Sequence, residues 1–271
     1  MVKVAFQGER GAFGEDAVIN FFKEAELLTC RHLDDVFVAV SKGKADFGVV
    51  AVENSLAGSI NETYDLLLQY QVNIYGEVNL RISHCLMALP GEKLEDIQTV
   101  YSHPQALAQC EEFLKRLGAE VVPTYNTAAS AKRIKEEKLK NCAAIASRRA
   151  AQIYGLEILA EGIETSKDNY TRFFVISRLK AAPAAKNKTS LVFSTGNVPG
   201  ALYACLGVFA TRNINLTKLE SRPSKKKPWE YVFYVDFEGH VEDPVCRQAL
   251  AEMERKTNFL RVLGSYPCAD G

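Results

Sequence analysis

Four short segments carry more polar chemistry than folding alone requires. The first is Glu53-Asn54-Ser55-Leu56-Ala57-Gly58-Ser59, which ends an apolar run. A carboxylate, an amide and a hydroxyl at the carboxyl end of a strand can orient a polar ligand, and Gly58 permits close backbone approach. The same residues also suit an Asn/Ser turn that caps the next helix. The second is Ser102-His103-Pro104-Gln105, with Gln109 and Cys110 following. Ser-x-x-Gln with proline in the first turn predicts a capping box, which accounts for Ser102 and Gln105 without a ligand. Gln109 falls on the same helical face as Gln105 and is left without that explanation. His103 suits acid–base chemistry or a plain surface position, and Cys110 is expected as a mildly accessible thiol beside a cleft.

The third segment is Asp168-Asn169-Tyr170-Thr171-Arg172-Phe173-Phe174-Val175-Ile176. Strand alternation puts Thr171 and Phe173 on one face and Arg172 on the other, so Thr171 and Arg172 should not meet the same ligand atom. A β-branched strand former and a salt-bridging arginine would give the same pattern. The fourth pairs Asn197-Val198-Pro199-Gly200-Ala201-Leu202 with Glu220-Ser221-Arg222-Pro223. A helix opening on Pro-Gly-Ala directs unbonded N–H groups outward, which suits a carboxylate, and a Ser-Arg-Pro strand end could complete an amino-acid pocket. A plain turn is the alternative.

These segments need elements to hold them. Strand-like stretches at 2–7, 28–32 and 47–52 alternate with helical patterns near 15–24, 33–42 and 61–70. After an extended segment at 72–89 the alternation resumes: strands at 99–102, 119–123 and 143–146, helices at 103–117 and 127–138, and another helix after Ser147. This grammar predicts an α/β layer with largely parallel strands. Lys44–Ser55 and Lys140–Ser147 each run from a basic turn through an apolar strand to a serine. They suggest two similar lobes facing a cleft, or two unrelated uses of one strand–helix grammar. The small, basic, proline-containing stretch at 180–189 reads as a linker. Beyond it the order becomes βαββαβ, with strands at 189–194, 213–221, 229–237 and 259–266 and helices at 199–210 and 243–256. That is a ferredoxin-like module. The run Lys225-Lys226-Lys227 reads as a solvated hairpin turn.

Composition narrows the chemistry. The 271 residues carry 33 Lys+Arg and 33 Asp+Glu, so no net basic field is available to hold nucleic acid or an anionic membrane. The hydrophobic fraction of 47% and charged fraction of 24% suit a folded globule and argue against disorder. No run is long and apolar enough for a membrane helix, and the opening Met-Val-Lys-Val-Ala-Phe-Gln-Gly lacks a signal-peptide layout. Seven cysteines, scattered and never spaced C-x-x-C, point to reduced thiols in a cytoplasmic protein rather than to disulfides or zinc. Walker A, GxGxxG, HExxH and GxSxG segments do not occur, and Gly8-Glu9-Arg10-Gly11-Ala12-Phe13-Gly14 lacks the dinucleotide spacing.

Taken together the segments resemble the monofunctional prephenate dehydratase family with a C-terminal ACT domain. The matching stretches are Phe6-Gln7-Gly8-Glu9-Arg10-Gly11-Ala12, Val52–Ser55, Ser102–Cys110, Ala143–Ser147, Asn169–Phe173, Pro199–Leu202 and Asn215–Pro223. They run in the family's order over nearly the whole chain. The resemblance implies a two-lobed, periplasmic-binding-protein-like α/β catalytic domain over 1–180. Lobe 1 is about 1–75 with 163–180, and lobe 2 about 76–162. A linker at 181–188 and a βαββαβ ACT regulatory domain at 189–271 follow. The implied activity is that of a lyase, the decarboxylating dehydration of prephenate to phenylpyruvate in L-phenylalanine biosynthesis. Aromatisation drives the reaction, so no cofactor or metal is implied. The implied catalytic residues are Thr171, Asn54, Glu53, Ser102 and Gln109, with Ser55, Arg172 and Phe173 binding substrate. Thr171 would act on the departing ring hydroxyl by hydrogen bonding, since its own hydroxyl is too weak an acid to ionise. L-Phenylalanine would bind as an allosteric inhibitor between ACT domains of neighbouring subunits. The residues implied there are Asn197, Pro199, Gly200, Ala201, Leu202, Glu220, Ser221, Arg222 and Pro223, in a homodimer or homotetramer. Arogenate dehydratases share these motifs, and Asn126–Ala131 and Glu77–Leu86 are similar to that branch, so arogenate is the alternative or second substrate. A non-enzymatic amino-acid sensor is the rival from another class.

Overall fold

A computed structural model describes residues 1–224 and 230–269. The lysine run at 225–227 therefore lies outside the described residues. The chain opens with β1 (Lys3–Gln7), α1 (Phe13–Phe22), β2 (Glu26–Cys30), α2 (Leu33–Ser41), β3 (Phe47–Asn54), the short β4 (Gly58–Ser59), α3 (Asn61–Gln69) and β5 (Asn73–Arg81). It then enters a second lobe: β6 (Cys85–Ala88), β7 (Thr99–Ser102), α4 (Pro104–Gln109), α5 (Glu111–Leu117), β8 (Glu120–Pro123), α6 (Thr127–Glu137), β9 (Cys142–Ala146), α7 (Arg148–Tyr154) and β10 (Glu157–Glu161). It returns through β11 (Tyr170–Ser177) and finishes with β12 (Asn187–Ser194), α8 (Ala201–Ala210), β13 (Leu216–Pro223), β14 (Tyr231–Glu238), α9 (Pro244–Lys256) and β15 (Phe259–Pro267).

The two lobes have one topology. The first sheet runs β2-β1-β3-β11-β5 and the second β8-β7-β9-β6-β10. In each, three strands form a parallel core, β2-β1-β3 or β8-β7-β9. A crossing strand, β11 or β6, follows on the inner flank. The expected two-lobed α/β fold is what forms, with antiparallel β6 and β10 making the second sheet mixed. β3 and β9 are almost wholly buried, as central strands covered on both faces must be. The helices seal these faces with apolar stripes; α2 buries Leu33, Val36, Phe37 and Val40, spaced one helical turn apart.

The helix expected over 103–117 is interrupted at Cys110. Thr165 donates its N–H to the Gln109 carbonyl at 2.9 Å, removing an acceptor from the helical ladder. β10 has no counterpart among the expected strands. Compact packing divides the chain within two strands: Met1–Tyr70 with Val78–Phe174 form one unit, and Gln71–Glu77 with the chain from Val175 form the other. In the second unit the sheet order is β13-β14-β12-β15, with α8 and α9 packed on each other, the ferredoxin-like arrangement. Its core gathers Leu191, Phe193, Val208, Phe209, Val235, Phe237 and Met253.

Candidate active site

The carboxyl ends of β1, β3, β7 and β11's opening residues converge on a cleft between the two lobes of the first unit, as open α/β sheets dictate. The lobes are fastened beside it by the loop after β1. Gly11 has φ +85, and a Cβ there would lie 2.7 Å from the Ala150 Cα of α7, so only glycine fits. Ser147, the N-cap of α7, donates its hydroxyl to the Gly11 carbonyl at 2.6 Å. The glycine-rich loop that lacked a dinucleotide spacing is thus a lobe-to-lobe contact.

The cleft is a cavity of about 220 Å³ bordered by Asn54, His103, Gln105, Thr127, Thr171 and Phe173. Three helices begin at its wall: α1 at Phe13, α4 behind His103, and α6 behind Asn126. Among the described residues lining it, none is Arg, Lys, Asp or Glu. Positive potential there comes from helix N-termini and from amide, hydroxyl and imidazole donors, a combination suited to holding anions.

A hydrogen-bond network ties these donors together. Asn54 accepts at Oδ1 from the N–H groups of Leu56 and Ala57, at 3.1 and 3.0 Å. That fixes its amide, whose Nδ2 donates to Asn169 Oδ1 at 2.8 Å, to the Tyr170 carbonyl at 3.0 Å and to Thr171 Oγ1 at 3.0 Å. Gln109, on the other lobe, donates its Nε2 to Asn54 Oδ1 at 3.5 Å. Its Oε1 receives Asn169 Nδ2 and pairs with His84 Nε2, both at 2.9 Å. Burial pushes the His84 and His103 imidazoles below their ordinary range, with the Gln109 bond and the Glu164 charge partly opposing the shift at His84. His103 Nδ1 accepts from the Gln105 N–H at 3.2 Å, leaving its other nitrogen as the donor.

The structure sorts the expected site residues. Thr171, Asn54, Gln109 and Phe173 meet in the cleft. Glu53 and Arg172 lie on the other side of their strands, 3.9 Å apart, with the Arg172 guanidinium 4.8 Å over the Phe174 ring. Ser55 ties the lobe-1 strand ends, donating to the Asp168 carbonyl and accepting from the Tyr170 N–H. Ser102 is fully buried, and its hydroxyl donates to the Ile145 carbonyl at 2.6 Å within the lobe-2 sheet. It is not the helix cap: α4 starts one residue later, and His103 caps it, because Ser102 is still paired as the last residue of β7. Gly58 opens β4 opposite Asn54, with open space around it rather than a close approach. Cys110 is wholly buried, and burial pushes its thiol up to about 12, so it is not the accessible thiol expected. His84, Asn169, Gln105, Thr127 and Phe13 belong to the site without having been singled out for it. The available signal was a histidine and an asparagine placed just before apolar strands.

In the second unit, Asn197 to Gly200 are exposed just before α8, and β13 alternates half-buried Glu220 and Arg222 with exposed Ser221 and Pro223. Ala201 and Leu202 open α8, half-buried.

Comparison with known proteins accords with this geometry. The prephenate dehydratase family model matches residues 4–181 and the ACT domain model residues 189–255. A relative from Arabidopsis thaliana, arogenate dehydratase/prephenate dehydratase 2, chloroplastic, is 47% identical, covering 98% of this chain and 73% of its own. A prephenate dehydratase structure from Arthrobacter aurescens, solved with L-Phe, superposes with a TM-score of 0.90 at 33% identity, covering 98% of this chain and 90% of its own. A structure described as GqqA, a novel type of quorum quenching acylase, also gives 0.90, at 36% identity and 98% coverage of both chains. The chain belongs to the prephenate dehydratase family and carries an ACT domain behind its dehydratase region.

Proposed function

We propose that the protein converts prephenate to phenylpyruvate, and that residues 1–180 perform this chemistry while 189–271, joined through 181–188, sense its end product. The ring carboxylate leaves as carbon dioxide, its bonding electrons pass through the ring, and the para hydroxyl departs as water after gaining a proton. The observation that carries the reading is the Asn54–Thr171 pair. Asn54 Nδ2 donates to Thr171 Oγ1 at 3.0 Å, which occupies the oxygen and leaves the threonine hydrogen to donate to the departing hydroxyl. Gln109 and Asn169 hold Asn54 in place. The neutral donors and helix N-termini around the cleft receive the two substrate carboxylates without an ion pair to break. Glu53, Arg172, Ser55 and Ser102 support the strands that present these groups.

Incubating the purified protein with prephenate should generate phenylpyruvate, read by its absorbance in alkali; no product would overturn the proposal and favour a sensor. Arogenate is the second substrate to run, because the Arabidopsis relative bears both activities in its name. An acylase would need a nucleophile held by a base, and Thr171 is held by an amide donor instead.

The regulatory half of the proposal is feedback inhibition by L-phenylalanine at Asn197, Pro199–Leu202 and Glu220–Pro223, between ACT domains of a homodimer or homotetramer. It is supported by the ACT match and by the L-Phe-bound relative. Inhibition should then be cooperative, and hyperbolic inhibition of a stable monomer would refute it. Among the described residues no helix is long and apolar enough to cross a membrane. Seven free cysteines suit a reducing compartment, and we place the protein in the cytoplasm.

A further inference from the structure

His84 lies just before β6, in the segment that carries the chain from one lobe to the other, and is 2% exposed. Its ring meets the edge of Phe13 at 5.5 Å, and its Nδ1 is buried without a hydrogen-bond partner among the described residues. Its Nε2 is 2.9 Å from Gln109 Oε1, an atom that can only accept. The proton therefore resides on Nε2, since the other tautomer would set two lone pairs against each other and bury an unmet donor. With His84 and Asn169 both donating to Oε1, the Gln109 amide has one orientation, its Nε2 toward Asn54 Oδ1. Asn54 in turn donates to Thr171. Each bond from His84 through Gln109 and Asn54 to Thr171 donates in the same direction, ending at the hydroxyl that faces the cleft.

We propose that His84 is a positioning residue for the dehydration: through Gln109 and Asn54 it sets the Thr171 hydroxyl as a donor to the leaving group. The proposal rests on the reading of Thr171 given above. His84→Leu removes the donor and should lower kcat for prephenate about 10- to 100-fold while KM stays within about threefold, as for a misplaced catalytic group. His84→Gln, whose side-chain nitrogen reaches the place of Nε2, should recover most of the loss, whereas His84→Asn, too short to reach Gln109, should not. That Gln-against-Asn comparison also serves if the leucine variant fails to fold, and equal kcat in the two overturns the proposal. In a Thr171→Ala background, His84→Leu should change kcat less than about twofold, because its effect is routed through the missing hydroxyl. The same fold-loss in both backgrounds would show a merely structural histidine. Wild-type turnover by Thr171→Ala alone would instead overturn the Thr171 assignment.

Discussion

The cleft and the ACT-bearing unit bury polar groups in different ways. Around Thr171 the buried groups are neutral amides and imidazoles that bond to one another while still facing the cavity. In the other unit the buried groups are turned inward on one another. Lys188 Nζ pairs with Glu77 Oε1 at 2.8 Å, and that oxygen also accepts the Ala269 N–H at 3.1 Å. Ser190 bonds both Asp236 and Tyr266, all three buried. The segments expected to meet L-phenylalanine are instead exposed, Val198 by 65% and Tyr203 nearby by 81%. An ion pair can hold a backbone segment in place, but a cleft for a dianion gains more from donors whose charge is not already committed. One chain thus completes its proposed catalytic cleft internally and leaves the segments proposed to bind L-phenylalanine facing outward.

The sharpest way to break this contrast is Thr171→Ala. If the amide network exists to aim one hydroxyl, its removal should lower kcat by about 10²–10⁴ with little change in KM, read by phenylpyruvate formation. Thr171→Ser, which keeps the hydroxyl, should recover part of that loss. A variant with normal turnover would reduce the network to a structural tie like those of the other unit.

Lys188→Met probes the opposite region. It removes the ammonium paired with Glu77, whose side chain is 1% exposed, and should cost about 3 kcal/mol of stability in urea unfolding. At temperatures where the variant stays folded, kcat should be close to wild type. A loss of kcat as large as that of Thr171→Ala would abolish the division of roles.

Much of this division could be read in the sequence where the determinants are local. The apolar run Phe47–Val52 marks a buried central strand, and alternation along Tyr170–Ser177 separates Thr171 and Phe173 from Arg172. The βαββαβ order followed from turn and periodicity signals alone. What remained hidden depends on partners far along the chain. Asn54 finds Asn169 and Thr171 more than a hundred positions away, and His84 finds Gln109. The break at Cys110 needs Thr165, and the capping role passed from Ser102 to His103 because β7 runs one residue further than the motif suggests. No local pattern encodes these.

Gly11→Ala tests how far the cleft depends on the registration of its lobes. The residue has φ +85, and the added methyl would press on the backbone of α7. Strain of about 1–3 kcal/mol is expected, seen as a lower urea midpoint. Because the loop lies between the lobes, KM for prephenate should rise, while L-phenylalanine binding measured by calorimetry should be unchanged. Loss of both would mean that the two regions do not act as separate sites.

The smallest expected effect comes from the cleft's buried imidazole. His84 ordinarily titrates near 6.5, and burial lowers that value in the folded chain, against opposition from Gln109 and Glu164. Below about 6.5 the unfolded chain therefore binds a proton that the folded chain resists. Stability from this residue is present above that pH and is lost as pH falls toward the folded value. Urea midpoints measured downward from neutral pH should fall more steeply in the wild type than in His84→Gln, which keeps the donor and cannot titrate. Identical slopes would mean that His84 is not held neutral by its surroundings, and the cleft would lose the feature that separates it most clearly from the ion-paired interior of the other unit.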